Sequence, residues 1–217
     1  LYDSRAWLDR PGSAIGPNEV NTFELVQAYL AADIEGAFGE GSEFGLQVGR
    51  FTLNLGSRRL VAADDYRNTT NGYTGLRADL ATRGGITATA IYVLPQVRLP
   101  DDLPSVLDFD TRWDRESFDL QLWGGIVARS DTIAGAAVEV GYFGLLERDW
   151  EDHPTRNRDL DNFSVRLIRD PKPGRFDFEV EGIYQTGKVR TGTAPDADSQ
   201  GVSAWFVHAD VGYTLAR

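Results

Sequence analysis

Five arginines fall within one stretch of the sequence, from Gly49 to Leu80, although the chain as a whole is acidic. They are Arg50, Arg58, Arg59, Arg67 and Arg77. A guanidinium keeps its charge at physiological pH, and its planar fork donates paired hydrogen bonds to a carboxylate or phosphate. Arginines spaced along one path can therefore pass a polyanion from one bidentate contact to the next. The pattern indicates handling of an anion rather than covalent chemistry.

The composition excludes several classes of site. The 217 residues carry 33 acidic and 22 basic side chains, so the formal net charge is −11, and nucleic acid is not an expected partner. Cysteine is absent, which removes disulfides, thiolate metal sites and cysteine nucleophiles. The two histidines, His153 and His208, are far apart, and no motif places a third ligand near them; His208 is expected on a polar face beside Asp210. We expect no metal, no cofactor and no enzymatic activity.

The longest apolar run is too short and too polar for a membrane-spanning helix. It extends from Ile133 to Leu146 and includes Glu139 and three glycines, whereas a spanning helix needs roughly 18 to 20 apolar residues. This excludes a helical membrane protein. A membrane β-barrel stays possible, because each of its strands gives only a weak, alternating signal.

Alternation with a period of two dominates the sequence and predicts β-strands. In Arg175–Gly187, for example, Phe178 and Val180 share one face, and Glu179 and Glu181 share the other. The other predicted strands are Thr22–Asp33, Phe44–Leu55, Tyr73–Ala81, Ile86–Gln96, Glu116–Arg129, Ala134–Glu147, Asn162–Arg169 and Gly201–Thr214, with a partial strand at the start. The sequence therefore predicts an all-β protein with about ten strands present.

The connections between these strands alternate strictly between long and short. The long ones are 8–21, 56–72, 97–116, 151–161 and 187–200, and the short ones are 34–43, 82–85, 130–132 and 170–174. An up-and-down antiparallel barrel with tight turns at one end has this arrangement, whereas a Greek-key sandwich has no reason to keep it. Aromatic residues near the long-loop ends also follow the apolar phase, as at a membrane interface: Tyr92, Tyr142, Tyr184 and Trp205. We predict a transmembrane β-barrel.

In such a barrel the polar phase of each strand faces the water-filled lumen. Arg77 and Asp79 then point into the lumen, and so do Glu179 and Glu181. Arg129 also points inward, because the opposite phase of its strand is apolar and contains Phe118, Leu122 and Ile126.

Arg50 is also inward in phase, but Leu46 and Val48 share that phase. This strand must either change face near Gly49, as a bulge would allow, or keep its lower half outside the lipid belt.

The arginine stretch also resembles the alginate-export family of outer-membrane channels. The resemblance lies in the spacing Gly49-Arg50, Gly56, Arg59-Leu60, Tyr66-Arg67-Asn68 and Gly75-x-Arg77, in DSRAW near the start and in AWFVHADVGYT near the end, and it spans the whole segment. It implies an outer-membrane β-barrel of about eighteen strands in the best-known members, whose arginine-lined constriction exports an anionic polysaccharide. By this resemblance Arg50, Arg59, Arg67 and Arg77 are pore-lining cations.

Together these observations give one set of expectations. Residues 1–217 form the interior part of a single outer-membrane β-barrel domain, and the signal peptide, first strands and closing strands lie outside this chain. The function is export of an alginate-like polyuronate through the bacterial outer membrane, with the polysaccharide, the lipid bilayer and periplasmic export components as partners. The candidate pore-lining residues are Arg50, Arg59, Arg67, Arg77, Asp79, Arg129, Arg166, Glu179 and Glu181.

Two other functions stay open from the residues alone. One is a general or small-acid-selective porin on the same barrel. The other is a soluble all-β protein that binds or cleaves carbohydrate, with its apolar strand faces turned inward.

Overall fold

The computed structural model describes residues 1–7, 12, 14–63, 66–150 and 153–215. Its strands are β1 (Tyr2–Ser4), β2 (Asn21–Glu24), β3 (Ala28–Glu35), β4 (Glu43–Phe51), β5 (Tyr73–Ala81), β6 (Ile86–Pro95), β7 (Leu120–Arg129), β8 (Ala137–Glu147), β9 (Asp159–Arg169), β10 (Arg175–Arg190) and β11 (Ser199–Thr214). Helix α1 (Leu103–Leu107) is short, and Asp102 caps it by accepting a hydrogen bond from the Ser105 backbone N–H. No helix in the described residues is long and apolar enough to cross a membrane.

Nine strands form one antiparallel sheet in which each strand pairs with its neighbours in the sequence. The order is β11-β10-β9-β8-β7-β6-β5-β4-β3, and β1 pairs with β2 in a separate two-stranded sheet. This is the meander of an up-and-down barrel segment, so the predicted fold class is confirmed. Within the described residues the sheet is not closed, and its edges are β3 and β11.

Long and short connections alternate along the meander, as predicted. The short ones are 36–42, 82–85, 130–136 and 170–174, and the long ones are 52–72, 96–119, 148–158 and 191–198. All long connections therefore leave from one end of the sheet, called the long-loop end below, and all short ones from the other, the short-turn end.

The strands β7 to β10 begin or end three or four residues from their predicted limits, and two other predicted strands differ more. The predicted strand Thr22–Asp33 is two strands, because β2 pairs with β1 and the meander begins only with β3. The predicted strand Phe44–Leu55 ends at Phe51, after which Leu55 makes a single bridge with Val61. In both cases the alternating pattern continues through the break, so it gives no sign of a change of partner.

The larger of two compact units contains Ala32–Leu46, Arg77–Tyr92 and Asp119–Arg217, and its strands β7 to β11 keep an unbroken register. Apolar side chains on one face of these strands remain exposed, with Val140 at 52% and Val165 at 57%. Charged side chains occupy the sheltered face, where Glu181 is only 3% exposed. A half-buried sheet of a soluble protein has the reverse arrangement, with the apolar face buried.

Four aromatic side chains on the exposed face form a continuous row across β8 to β11, which we call the aromatic row. Tyr142 is paired with Phe163, Phe163 with Tyr184, and Tyr184 with Trp205. The Tyr142 and Phe163 rings have centroids 5.3 Å apart, and Trp205 is 78% exposed. The predicted phase of Tyr142, Tyr184 and Trp205 is therefore confirmed.

The smaller compact unit contains Leu1–Ala31, Gln47–Leu76 and Val93–Phe118. It has a buried apolar core, of which the largest fully buried members are Phe51, Leu53, Val20, Val61, Val93 and Val106. Polar side chains are buried with them, notably Asn21, Glu24 and Asp114. Such groups need internal partners, because water does not reach them.

The apolar phase of β4 changes at Gly49. Leu46 and Val48 are more than 40% exposed, whereas Phe51 and Leu53 lie in the other phase and are buried. The Gly49 backbone has φ +129°, a region that favours glycine, and a Cβ at this position would overlap the Ala28 carbonyl. The strand therefore changes face near Gly49, which is one of the two arrangements that the sequence allows. The apolar residues that follow, Phe51 and Leu53, pack into the core of the smaller unit.

Candidate functional site

Charged side chains form a ladder across four strands on the sheltered face of the larger unit. Arg166 on β9 lies opposite Glu139 on β8 and opposite Glu181 on β10, and Glu181 lies opposite His208 on β11. Residues directly opposite each other in an antiparallel sheet share a face, so all four point to the same side. We call Glu139, Arg166, Glu181 and His208 the charged ladder.

The ladder contains more acid than base once its neighbours are included. Arg166 Nη2 donates a hydrogen bond of 2.8 Å to Glu179 Oε2, and the two side chains are 14% and 21% exposed. His208 Nε2 lies 2.7 Å from Asp210 Oδ2, which confirms the expected proximity of these two residues. The ladder thus holds its arginine in an ion pair and leaves a net negative face.

Arg77 and Asp79 form a second ion pair in the same unit, on β5. Arg77 Nε and Nη2 donate to the two carboxylate oxygens of Asp79 at 2.6 and 3.0 Å, a bidentate geometry, and Thr89 Oγ1 donates to the same carboxylate at 2.6 Å. A cleft of about 530 Å³ lies beside the pair, and Asp33, Glu43, Asp79 and Thr89 are among its lining residues. An anion entering this cleft meets carboxylates, one of which is the Asp79 partner of Arg77.

Arg50 is an internal tie of the smaller unit. Its guanidinium donates to the Glu116 carboxylate, to Thr74 Oγ1 at 3.3 Å and to the Leu25 carbonyl at 3.2 Å. Its side chain is only 12% exposed. These contacts hold three separate segments of the chain together and leave little of the guanidinium accessible to a passing anion.

Arg59 and Arg67 are exposed residues of the 52–72 connection. Arg67 Nη1 donates to Asn18 Oδ1 at 2.9 Å, and Arg98 Nη2 donates to the same oxygen at 2.9 Å. Arg98 also donates to the Thr70 carbonyl at 3.0 Å, which ties this connection to the N-terminal segment. The sequence analysis missed Arg98, because its predicted position in a loop gave it no phase.

Arg129 lies on the opposite face from the charged ladder, contrary to expectation. It is paired with Val138, and Val127 in the same phase is 54% exposed. The predicted faces of β7 are therefore reversed. The physical reason is that β7 is apolar on both faces: Leu122, in the other phase, is only 9% exposed, so alternation could not show which side is sheltered.

One carboxyl of the smaller unit, that of Glu24, is fully buried. Neither carboxylate oxygen of Glu24 accepts a hydrogen bond of normal geometry within the described residues. Burial raises the pKa of Glu24 to about 7. The nearby Asp114 carboxyl adds to this rise, and the charges of Arg98 and Arg50 oppose it. Asp114 itself accepts hydrogen bonds from Asn21 Nδ2 and the Leu99 backbone N–H. The described part of the chain contains no group of three or more histidine, cysteine, aspartate or glutamate side chains that could hold a metal ion.

The sequence model of the alginate export family matches residues 1–217. The chain belongs to the alginate export family. The resemblance seen in the sequence is thereby confirmed over the whole chain, and the family consists of outer-membrane polysaccharide channels rather than enzymes. No curated protein and no solved structure matches the chain. Membership of the alginate export family accounts for the meander and for exposed apolar strand faces.

Proposed function

We propose that this chain forms part of the wall of a bacterial outer-membrane channel that exports an anionic polysaccharide along its charged face. One observation carries the proposal. Val140 and Val165 are exposed on one face, whereas Arg166 and Glu181 occupy the sheltered one. This is the arrangement of a barrel that faces lipid outside and water inside.

Two aromatic bands support placement in a bilayer. The aromatic row marks one level, and Phe176 and Tyr213, whose ring centroids are 5.0 Å apart, mark a second level near the short-turn end. From Phe176 to Tyr184 the strand advances about 26 Å at ~3.3 Å per residue. With a barrel tilt of about 40° this corresponds to about 20 Å along the membrane normal, comparable with an apolar band of about 25 Å.

The ion pairs suit a path that must release its cargo. A polyuronate carries a carboxylate on each sugar and can exchange with the acidic partners of Arg77 and Arg166, which are Asp79 and Glu179. Because these acids compete for the guanidinium, each contact with the cargo is weakened, and conduction requires contacts that release. Arg59 and Arg67 are proposed as further contacts from the 52–72 connection, and periplasmic export components as suppliers of the polymer.

The proposal is tested on the full-length protein in planar bilayers. Arg166→Gln and Arg77→Gln should shift ion selectivity towards cations and weaken block by alginate oligomers, while neutral malto-oligosaccharides have no effect in any variant. Arg129→Gln is the matched control, since it removes the same charge from the opposite face. If Arg129→Gln acts as strongly as Arg166→Gln, or if alginate oligomers never block the channel, the proposal is wrong.

A second candidate, a cation-preferring general porin, is favoured by one observation. Around Arg166 the acids Glu139, Glu179 and Glu181 outnumber the base, and carboxylates lining a narrow path attract cations. The same recordings separate the two functions. A general porin conducts small ions with cation preference and is not blocked by alginate oligomers.

A further inference from the structure

A small cleft opens at the short-turn end of the charged face. It has a volume of about 190 Å³, lies between the 130–136 and 170–174 turns, and is lined by Ser130, Ile168, Arg169, Lys172 and Arg175 among others. Ile168 is paired with Glu179, and Arg175 is in phase with Glu179 on β10. This part of the cleft therefore belongs to the same side of the sheet as the charged ladder, whereas Arg169 is paired with Phe178 on the exposed, apolar face.

Two cations of this cleft, Lys172 and Arg175, differ from Arg77 and Arg166. Lys172 and Arg175 have no side-chain hydrogen bond and no ion pair within the described residues, whereas Arg77 and Arg166 are each bound to a carboxylate. Asp131 and Asp170 also line the cleft without pairing to these cations. An anion that enters the cleft can therefore bind Lys172 and Arg175 without first displacing a carboxylate from either of them.

We propose that this cleft captures one carboxylate-bearing sugar of the anionic polysaccharide as the polymer arrives at the short-turn mouth. An incoming carboxylate must displace Glu179 to reach Arg166, but it meets unpaired cations at Lys172 and Arg175. The cleft is smaller than the roughly 300 Å³ typical of sites for drug-sized ligands, so it suits a single sugar unit. This inference rests on the proposed function and adds to it a site where transport begins.

The experiment measures how often alginate oligomers of defined length block the full-length channel in a planar bilayer. The oligomers are added first to one side and then to the other. The orientation of each channel is read from the side on which streptavidin binds a biotin on Ala194→Cys in the 191–198 connection; residues 1–217 contain no native cysteine. The test variant is Lys172→Gln with Arg175→Gln, and both positions are exposed.

The control variants are Lys188→Gln and Arg129→Gln. Lys188 is an exposed cation on the same strand as Arg175, but near the long-loop end, and Arg129 is at the short-turn end of the opposite face. Together they remove the same charge as the test variant. Single-channel conductance shows that each variant still forms the pore.

The test variant should be blocked about tenfold less often from the short-turn side, with the block from the long-loop side unchanged, because local charge governs the association rate. The control pair should match the unmodified protein from both sides. An equal loss from both sides, or none, overturns the inference while leaving the channel function intact.

Two further results would also overturn it. If replacing anionic with zwitterionic lipids abolishes the effect of the test variant, the cleft binds phospholipid headgroups instead of sugar. If the unmodified channel is never blocked by alginate oligomers, the proposed function fails and the capture site fails with it.

Discussion

Val140 and Val165 face each other across β8 and β9, and both are more than half exposed. We expect Val165→Lys to destabilise the full-length protein in lipid vesicles by about 2 to 4 kcal/mol, because a lysine in the middle of a lipid-facing strand must leave water. In a soluble sheet the same exposed substitution would change stability by no more than about 0.5 kcal/mol. Reversible denaturant unfolding in vesicles measures the difference.

The control for this substitution is Phe38→Lys. Phe38 is 62% exposed but lies in the 36–42 turn, outside the strands, so a lysine there stays in water. A loss below about 0.5 kcal/mol for both variants would contradict a lipid-facing role for Val165.

The sequence allowed the faces of β10 to be predicted, because this strand has one apolar and one polar phase. Phe178 and Glu179 show this separation clearly. The prediction of faces was wrong for β7, because Leu122 and Val127 are both apolar and lie on opposite faces. Period-two alternation orients a strand only when its two faces differ in polarity.

Contacts between distant segments could not be predicted. Arg50 and its partner Glu116 are separated by 66 positions, and no local pattern indicates that they meet. The charged ladder was missed in a similar way, since Glu139 joins it only through the pairing register of β8 with β9. Register depends on how whole strands align, whereas periodicity is a property of one strand.

Arg190 fastens the 148–158 connection to the end of β10. Its Nη2 donates to both oxygens of Asp149 at 2.6 and 2.7 Å and to the Thr155 carbonyl at 2.6 Å, and its side chain is 9% exposed. Removing Arg190 leaves the Asp149 carboxylate without the guanidinium that holds it in place. We expect Arg190→Ala to accelerate hydrogen exchange of the Thr155 amide at least about tenfold, because this amide donates to Asp149 within the same structure.

The comparison variant is Arg158→Ala, which breaks the Arg158–Glu147 pair of the same connection. Arg158 bonds to Glu147 at the end of β8, so its removal leaves the hydrogen bond between the Thr155 amide and Asp149 in place. Equal acceleration of the Thr155 amide in the two variants would show that Arg190 has no special role.

The hydrogen bonds of Asp149 make the stability of the 148–158 connection depend on pH. A hydrogen bond from the Thr155 backbone N–H, followed by contacts with Arg190, lowers the pKa of Asp149 below its usual value. The folded connection is therefore stabilised at pH values above the unfolded pKa of about 3.9, and this contribution disappears as the pH falls through the lower, folded pKa. Thr155 amide protection should decline in acid, and Asp149→Asn should abolish the decline; an unchanged decline in Asp149→Asn would assign it to another group.

Gly124 allows β7 and β8 to approach closely. Its backbone has φ +131°, and a Cβ there would overlap the Tyr142 carbonyl. We expect Gly124→Ala to reduce the folded fraction in outer-membrane preparations severalfold, because both the backbone conformation and the strand spacing must change. Gly182→Ala is the control, since no atom lies within 4 Å of its Cβ position. Resistance of the β-barrel to sodium dodecyl sulfate on unheated gels reports folding, and similar losses for both variants would argue against the close approach.

Glu24 makes the smaller unit sensitive to pH near neutrality. Burial raises its pKa from 4.5 to about 7, so the folded unit binds this proton more tightly than the unfolded chain does. The stabilisation is complete below the unfolded pKa, declines as the pH rises through the interval up to about 7, and is absent above it. The difference of about 2.5 pKa units corresponds to about 3 kcal/mol. Hydrogen exchange of the β1 and β2 amides, corrected for intrinsic rates, should show protection falling between pH 5 and pH 8.

Glu24→Gln should remove this dependence and protect the unit better at pH 8, because a neutral amide needs no proton to remain buried. Glu40→Gln makes the same charge change at an exposed residue of the 36–42 turn and should leave the pH profile as it is. Asp114, Arg98 and Arg50 act on Glu24 electrostatically, so a profile that persists in Glu24→Gln would transfer the titration to Asp114, whose pKa burial also raises. The two carboxyls can then be separated with Asp114→Asn in the Glu24→Gln background.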